Sequence, residues 1–156
     1  MEKTNAMRLL DAAAIAYETR EYPYSEDDLS GVHAAQACGV PCEQVFKTLV
    51  ARGDRTGVAV FCIPVACELD LKRAAALSGN KKLEMVHVRE LPGLTGYLRG
   101  GCSPVGMKKK YPTYIDETAA LFDCIAVSAG RRGLQMLLAP DALCRYVGAV
   151  SGDLTV

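Results

Sequence analysis

The sequence lacks the signals of a membrane or exported protein. No apolar run reaches the roughly 18 residues that a transmembrane helix needs. The N-terminal segment MEKTNAMRLLDAAAIAYETR does not resemble a signal peptide, because charges interrupt it and no basic segment precedes an apolar one. We therefore expect a cytoplasmic protein with no membrane partner. The 156 residues, 50% of them hydrophobic, suit a single domain spanning residues 1–156.

The common signatures of metal sites and nucleophiles are also missing. The seven cysteines include no Cys-x-x-Cys pair, and we expect neither a metal nor a cofactor. Most of the cysteines lie among aliphatic residues, which indicates small core residues in a reducing compartment. A Walker loop and a Gly-x-Ser-x-Gly elbow are both absent. The only histidines, His33 and His87, stand in no pattern typical of a base, so we interpret both as structural or surface residues.

An excess of charge of one sign is absent as well. Eighteen basic residues balance eighteen acidic ones, whereas proteins that bind nucleic acid through bulk charge are normally basic. Any contact with nucleic acid must therefore come from a local patch. The strongest candidate is the run Lys108, Lys109 and Lys110, since it directly follows a glycine-rich loop. The run would either contact a phosphate backbone or form an ordinary solvated face.

The residues that are present predict short strands mixed with short helices. Segments 45–52 and 58–64 flank a turn-rich link and predict a β-hairpin of two buried strands. Ser30 and Asp70 are suited to cap helices that begin at the next residue, and Gly39 and Gly79 are expected to end those helices. Further extended segments are predicted at 16–22, 81–88, 112–117, 123–130 and 134–140. We predict an α/β fold, with a mixed β-sheet containing hairpins and flanked by short helices, rather than a regular βαβ series.

Lys47 is the clearest chemical anomaly of the sequence. Its strand is apolar on both faces, with Val45 and Leu49 predicted on the side of Lys47 and Phe46 and Val50 on the other. A buried ammonium is unfavourable unless it meets an anion or reaches water. Either the stem packs while the head group reaches solvent, or the cation points into a pocket, where it would hold a phosphate or polarise a carbonyl.

A second candidate site is the stretch LRGGCSPVGMKKKYP, residues 98–112. Gly100 and Gly101 have no Cβ, so a ligand can approach their backbone N–H groups closely, and Pro104 stiffens the exit of the loop. Such a loop could surround an oxyanion or a phosphate. Cys102 is a possible nucleophile, but no recognisable base accompanies it.

Several separated segments resemble the YbaK family of free-standing editing deacylases. They are GVHAAQACGVPCEQVFKTLVARGD, ELDLKRAAALSGNKKLEM, LTGYLRGGCSPVGMKKKYPTYIDETA and IAVSAGRRGLQMLLAP. The resemblance extends over about residues 4–148 and keeps the order and spacing of the family. It implies a mixed sheet flanked by helices, a fold shared with the editing insertion of bacterial prolyl-tRNA synthetase. It also implies hydrolysis of the ester between a wrong amino acid, usually cysteine, and tRNA(Pro).

The resemblance further implies which residues form the site. Lys47 corresponds to the essential catalytic residue of the family. The substrate-binding residues implied are Tyr22, Thr48, Gly100, Gly101, Ser103, Pro104 and Ser128. The lysine run at 108–110 is expected to contact the end of the tRNA. Cys102 occupies a position that is normally aliphatic in the family, so we interpret it as a packing residue and not as a nucleophile.

The absence of a recognisable catalytic base in the sequence is consistent with the mechanism that the resemblance implies. The thiol of the misacylated cysteine attacks its own ester carbonyl and releases the tRNA and a thiolactone, so the protein supplies orientation, a cation and backbone donors. The partners expected are the acceptor end of tRNA(Pro) and prolyl-tRNA synthetase. Two alternatives stay open. The protein could deacylate another mischarged tRNA, such as Ala-tRNA(Pro), or it could be a non-catalytic module that binds tRNA or a synthetase.

Overall fold

The computed structural model describes residues 2–156, which form eight strands and five α-helices. The strands are β1 (Glu18–Glu21), β2 (Phe46–Gly53), β3 (Gly57–Pro64), β4 (Leu83–Met85), β5 (Thr113–Asp116), β6 (Ile125–Ser128), β7 (Leu134–Leu138) and β8 (Val150–Gly152). The helices are α1 (Asn5–Ala12), α2 (Gly31–Cys38), α3 (Leu71–Ser78), α4 (Leu91–Thr95) and α5 (Pro140–Val147). None of these helices is long and apolar enough to cross a membrane.

The strands are divided between two sheets. One has three antiparallel strands in the order β1-β7-β6, and the other has five strands in the order β4-β2-β3-β5-β8. The larger sheet is mixed, because β5 pairs in parallel with both β3 and β8 while β2 pairs antiparallel with β3 and β4. A parallel bridge between Val45 and Ala126 joins the two sheets. The predicted α/β class, with hairpins and short helices, is confirmed.

The predicted hairpin is formed by β2 and β3, and it separates two hydrophobic clusters. Phe46 and Val50 belong to the main cluster, which also takes in α1 and the inner face of the smaller sheet. Ala51 belongs to a second cluster on the opposite face, formed with α3, and Leu49 packs against it. The alternation predicted from the sequence is therefore present, and it assigns the Lys47 side chain to the α3 face.

The helix ends follow the local chemistry of the sequence. Ser30 Oγ accepts a hydrogen bond from the backbone N–H of His33, the third residue of α2, at 3.2 Å. Asp70 accepts two hydrogen bonds from backbone N–H groups in the first turn of α3. Gly39 and Gly79 end these helices in the left-handed conformation that glycine adopts most easily. Strand β8 was not predicted, because its sequence Val-Ser-Gly has no alternating apolar pattern and its conformation depends on pairing with β5.

Candidate active site

A cavity of about 390 Å³ opens where the two sheets separate along β2. The cavity lies along one edge of β2, between two points where that edge is covered. At the first point Val45 bridges to Ala126 of β6, and at the second Val50 O accepts a hydrogen bond from Val86 N–H at 3.1 Å. Strand β4 pairs with β2 only from Ala51 onwards. Between these points no strand of the described chain lies against this edge of β2. The fold thus creates a cleft without interrupting the strand.

The open edge presents backbone groups to the cavity. Val65 N–H donates to Val45 O on the β3 side at 2.9 Å, whereas the bond between Val86 and Val50 lies on the opposite side. The direction of hydrogen bonding alternates along an antiparallel strand, so the even-numbered residues of β2 direct their N–H and C=O groups to the open edge. Thr48 lies midway along this edge. We infer that its backbone N–H and C=O face the cavity.

Lys47 lines the same cavity and is partly buried. Its ammonium forms no ion pair with any carboxylate from residue 2 to residue 156. No Asp or Glu is among the residues that line the cavity, and the other residues with basic side chains there are Arg99 and His87. The cavity is therefore electropositive, with one lysine available to an anionic group of a ligand.

The cavity brings together most of the residues predicted for the substrate site. Those that line it are Tyr22, Lys47, Thr48, Gly100 and Ser128. Ser128 is at the end of β6, where its Oγ accepts a hydrogen bond from Gly130 N–H at 3.1 Å. The hydroxyl proton of Ser128 therefore remains available to a ligand.

The two loop glycines have different environments. Gly101 N–H donates to Leu98 O at 3.0 Å and closes a turn. Gly100, at φ +86°, has a backbone N–H with no hydrogen-bond partner among residues 2–156. A Cβ on Gly101 would lie 2.9 Å from backbone atoms of Arg131 and Arg132. Gly100 therefore offers the unpaired donor, whereas Gly101 permits two loops to pack closely.

The remaining predicted residues lie away from the cavity wall. Ser103 is completely buried, and its Oγ accepts a hydrogen bond from the backbone of its own loop. Pro104 lines a separate hollow together with Lys109 and Lys110. Lys108 is exposed, as are its two neighbours. The structure thus does not bring Ser103, Pro104 or the lysine run into the cavity with Lys47.

Cys102 contributes to the cavity wall but lacks the environment of a nucleophile. Burial raises the pKa of its thiol to about 12. A thiol with such a pKa stays protonated at neutral pH and is a weak nucleophile. The side chain belongs to the main hydrophobic cluster. These observations support the interpretation of Cys102 as a packing residue.

Sequence reasoning did not assign four polar residues of the cavity wall to the site: Ser30, His87, Arg99 and Gln135. His87 was interpreted as a structural or surface residue, and it is exposed at the edge of the cavity. Its backbone N–H donates to Glu90 Oε1 at 3.2 Å. Gln135 is the single polar residue of the apolar strand LQMLL. The reasoning that singled out Lys47 in β2 would also have found Gln135, because a buried polar residue in an apolar strand needs a partner.

A second hollow of about 810 Å³ adjoins the cavity. Tyr22 lines both, and Gly100 in the cavity is followed by Gly101 in the hollow. Tyr24, Arg131 and Arg132 also line the hollow. An aromatic ring and two guanidinium groups next to a cavity are suited to the bases and phosphates of a single strand.

Comparisons with known proteins identify the family of the chain. The model of the aminoacyl-tRNA editing domain family matches residues 30–146. The proposed Cys-tRNA(Pro)/Cys-tRNA(Cys) deacylase EbsC of Enterococcus faecalis is 47% identical over 99% of this chain and 94% of its own length. The uncharacterised protein YwhH of Bacillus subtilis is 26% identical over 72% of this chain and 71% of its own.

A solved structure extends the likeness to three dimensions. The crystal structure of a proposed trans-editing enzyme for prolyl-tRNA synthetase superposes with a TM-score of 0.84 and 28% identity, covering 100% of this chain and 99% of the other. The resemblance stated from the sequence is confirmed, and with it an editing role on aminoacyl-tRNA. The chain belongs to the aminoacyl-tRNA editing domain family.

Proposed function

We propose that the protein removes cysteine from mischarged Cys-tRNA(Pro) in trans. The observation that carries this proposal is the chemistry of the cavity, which contains an unpaired lysine and backbone donors but no carboxylate and no activated nucleophile. Such a site can bind and polarise an ester, but it cannot attack one by itself. The similarity to EbsC supports cysteine as the amino acid.

Each cavity residue has a proposed role. Lys47 and Gly100 N–H stabilise the negative charge that develops on the ester carbonyl oxygen. The backbone of Thr48 and the side chains of Tyr22 and Ser128 orient the aminoacyl group. Gly101 and Ser103 act through the shape of the loop, since the first packs against the Arg131–Arg132 backbone and the second is completely buried.

The substrate supplies the nucleophile in the proposed reaction. The cysteine thiolate attacks its own carbonyl carbon, a C–S bond forms, and the C–O bond to the terminal ribose breaks. The ribose oxygen leaves with the proton that the thiol lost on forming the thiolate, and the products are the uncharged tRNA and a β-thiolactone that water then opens. Tethering the two reacting groups contributes up to about 7–11 kcal/mol, although the strain of a four-membered ring removes much of this.

The tRNA is proposed to reach the cavity across a surface that carries basic side chains, of which Arg131 and Arg132 lie 3.9 and 3.7 Å from Glu21 and Glu26. The hollow lined by Tyr24, Arg131 and Arg132 adjoins the cavity, and the exposed run Lys108–Lys110 lies beside a different hollow. The protein has no net positive charge, so we propose that it binds tRNA weakly when isolated. Prolyl-tRNA synthetase, in the cytoplasm, would supply tRNA(Pro) at a high effective concentration.

A panel of charged tRNAs tests the activity directly. Cys-tRNA(Pro), Ala-tRNA(Pro) and Pro-tRNA(Pro) are incubated separately with the protein, and ester loss is followed against a reaction without enzyme. We expect rapid loss of cysteine only. Preferred loss of alanine would assign the site to another substrate, and no loss from any of the three would favour a binding module.

Substrates with other amino acids test whether the substrate thiol or a water molecule is the nucleophile. Ser-tRNA(Pro) should react much more slowly, since a hydroxyl is a weaker nucleophile than a thiolate of nearly the same size. S-methylcysteinyl-tRNA(Pro) should resist almost completely, because methylation removes the thiolate. Binding is measured separately to detect a steric clash of the methyl group. If the methylated substrate binds and is cleaved as fast as the cysteinyl one, a water molecule and not the thiol is the nucleophile.

A further inference from the structure

Gln135 is a buried polar residue without a protein partner. The residue is 6% exposed, and no atom of residues 2–156 forms a hydrogen bond with its Oε1. Buried amide oxygens are almost always paired, since an unpaired acceptor loses its bonds to water without replacement. The neighbouring residues Leu134 and Met136 point to the opposite face and belong to the main hydrophobic cluster.

The position of Gln135 relates this unpaired amide to the substrate site. In the β6–β7 register Gln135 lies opposite Ser128, so the two side chains share one face of the smaller sheet. Both line the cavity that contains Lys47. In this conformation the Gln135 oxygen has less than 1 Å² of accessible surface, so a half-turn of the terminal amide presents it to a ligand in the cavity.

The chemistry of the cavity wall limits what that ligand group can be. An aminoacyl ester carries an α-amino group, its strongest hydrogen-bond donor, whereas a thiol is a weak donor. No carboxylate lines the cavity, so an amino group there needs a neutral acceptor. A neutral amide has a further advantage, because it can accept a hydrogen bond without neutralising Lys47.

We propose that Gln135 is a specificity-determining residue whose side-chain oxygen accepts a hydrogen bond from the α-amino group of the aminoacyl ester. The proposal rests on the proposed function of the cavity. In this proposal Gln135 on the smaller sheet recognises the amino group, and Lys47 on the larger sheet acts on the ester. Substrates with a blocked or missing amino group are then rejected.

A double-mutant cycle between enzyme and substrate tests this assignment. The substrate change is Cys-tRNA(Pro) to 3-mercaptopropionyl-tRNA(Pro), which keeps the thiol and the ester but lacks the amino group. The enzyme change is Gln135→Met, which keeps the length of the side chain and removes both hydrogen-bonding groups. Single-turnover rates at subsaturating enzyme give kcat/KM for the four combinations. Leu137→Met, on the same strand and face but outside the cavity wall, is the matched control.

The measured quantity is the preference for the cysteinyl over the mercaptopropionyl ester. We expect Gln135→Met to reduce this preference by about 10-fold or more, which corresponds to about 1.4 kcal/mol. Leu137→Met should leave the preference unchanged. Gln135→Glu should retain the preference even if the absolute rates fall, since a carboxylate is also an acceptor. A lost preference in this variant would overturn the acceptor role even if the methionine variant does not fold.

The possible outcomes separate the two proposals. An unchanged preference in folded Gln135→Met would overturn the role of Gln135 while leaving the editing function intact. Equal rates of the wild-type protein on both esters would also overturn it, because the amino group would then make no contribution. Cleavage of neither ester by the wild-type protein would instead refute the proposed function.

Discussion

Replacing Lys47 by methionine should abolish most of the deacylase activity and leave the protein folded. Methionine keeps much of the apolar stem and removes the ammonium. The cation has no carboxylate partner among residues 2–156, so no ion pair is lost with it. The free energy of unfolding should therefore change by less than about 1 kcal/mol.

The effect on the reaction should be much larger. Lys47 lines a cavity without carboxylates, and a preorganised group that stabilises a developing oxyanion typically contributes about 100- to 1,000-fold in kcat, or about 2.7–4 kcal/mol. We expect a loss of this size on Cys-tRNA(Pro). Lys47→Arg should also be poor, because a planar guanidinium does not replace a compact ammonium.

The assay combines single-turnover deacylation with urea unfolding followed by circular dichroism. Lys72→Met is the matched control, since Lys72 is exposed on α3 and lies outside the cavity wall. The control should keep wild-type activity. A folded Lys47→Met protein with more than about a tenth of wild-type activity would refute the electrostatic role assigned to Lys47.

Three further changes test other parts of the molecule. Cys102→Ala should retain most of the activity, because burial raises the pKa of the thiol to about 12; loss of activity with normal tRNA binding would restore a nucleophilic role. Changing all of Lys108–Lys110 to alanine should weaken tRNA binding and flatten its dependence on salt, measured by filter binding; an unchanged slope would indicate only a solvated face. Gly101→Ala should destabilise the fold by about 1–3 kcal/mol in thermal unfolding, because its Cβ would meet the backbone of Arg131 and Arg132 at 2.9 Å; an unchanged melting temperature would contradict this packing.

Local patterns in the sequence were enough to predict much of the fold. The β2–β3 hairpin, the caps at Ser30 and Asp70 and the helix ends at Gly39 and Gly79 were all predicted and are present. These features depend on residues within a few positions of one another, so the chemistry that decides them can be seen in the sequence. The anomaly of Lys47 could be found for the same reason, since the alternation of its own strand reveals it.

The environment of each site residue was decided by the tertiary structure. The cavity exists because β4 leaves part of the β2 edge unpaired, which no segment of β2 indicates by itself. Gly100 and Gly101 are both glycines, but only a Cβ on Gly101 would meet the backbone of the sequence-distant loop at Arg131. Gln135 became a candidate only when the β6–β7 register brought it to the cavity beside Ser128 without a partner. Contacts between segments far apart in the chain decide which polar groups are paired, and the groups left unpaired in a cavity are those available to a substrate.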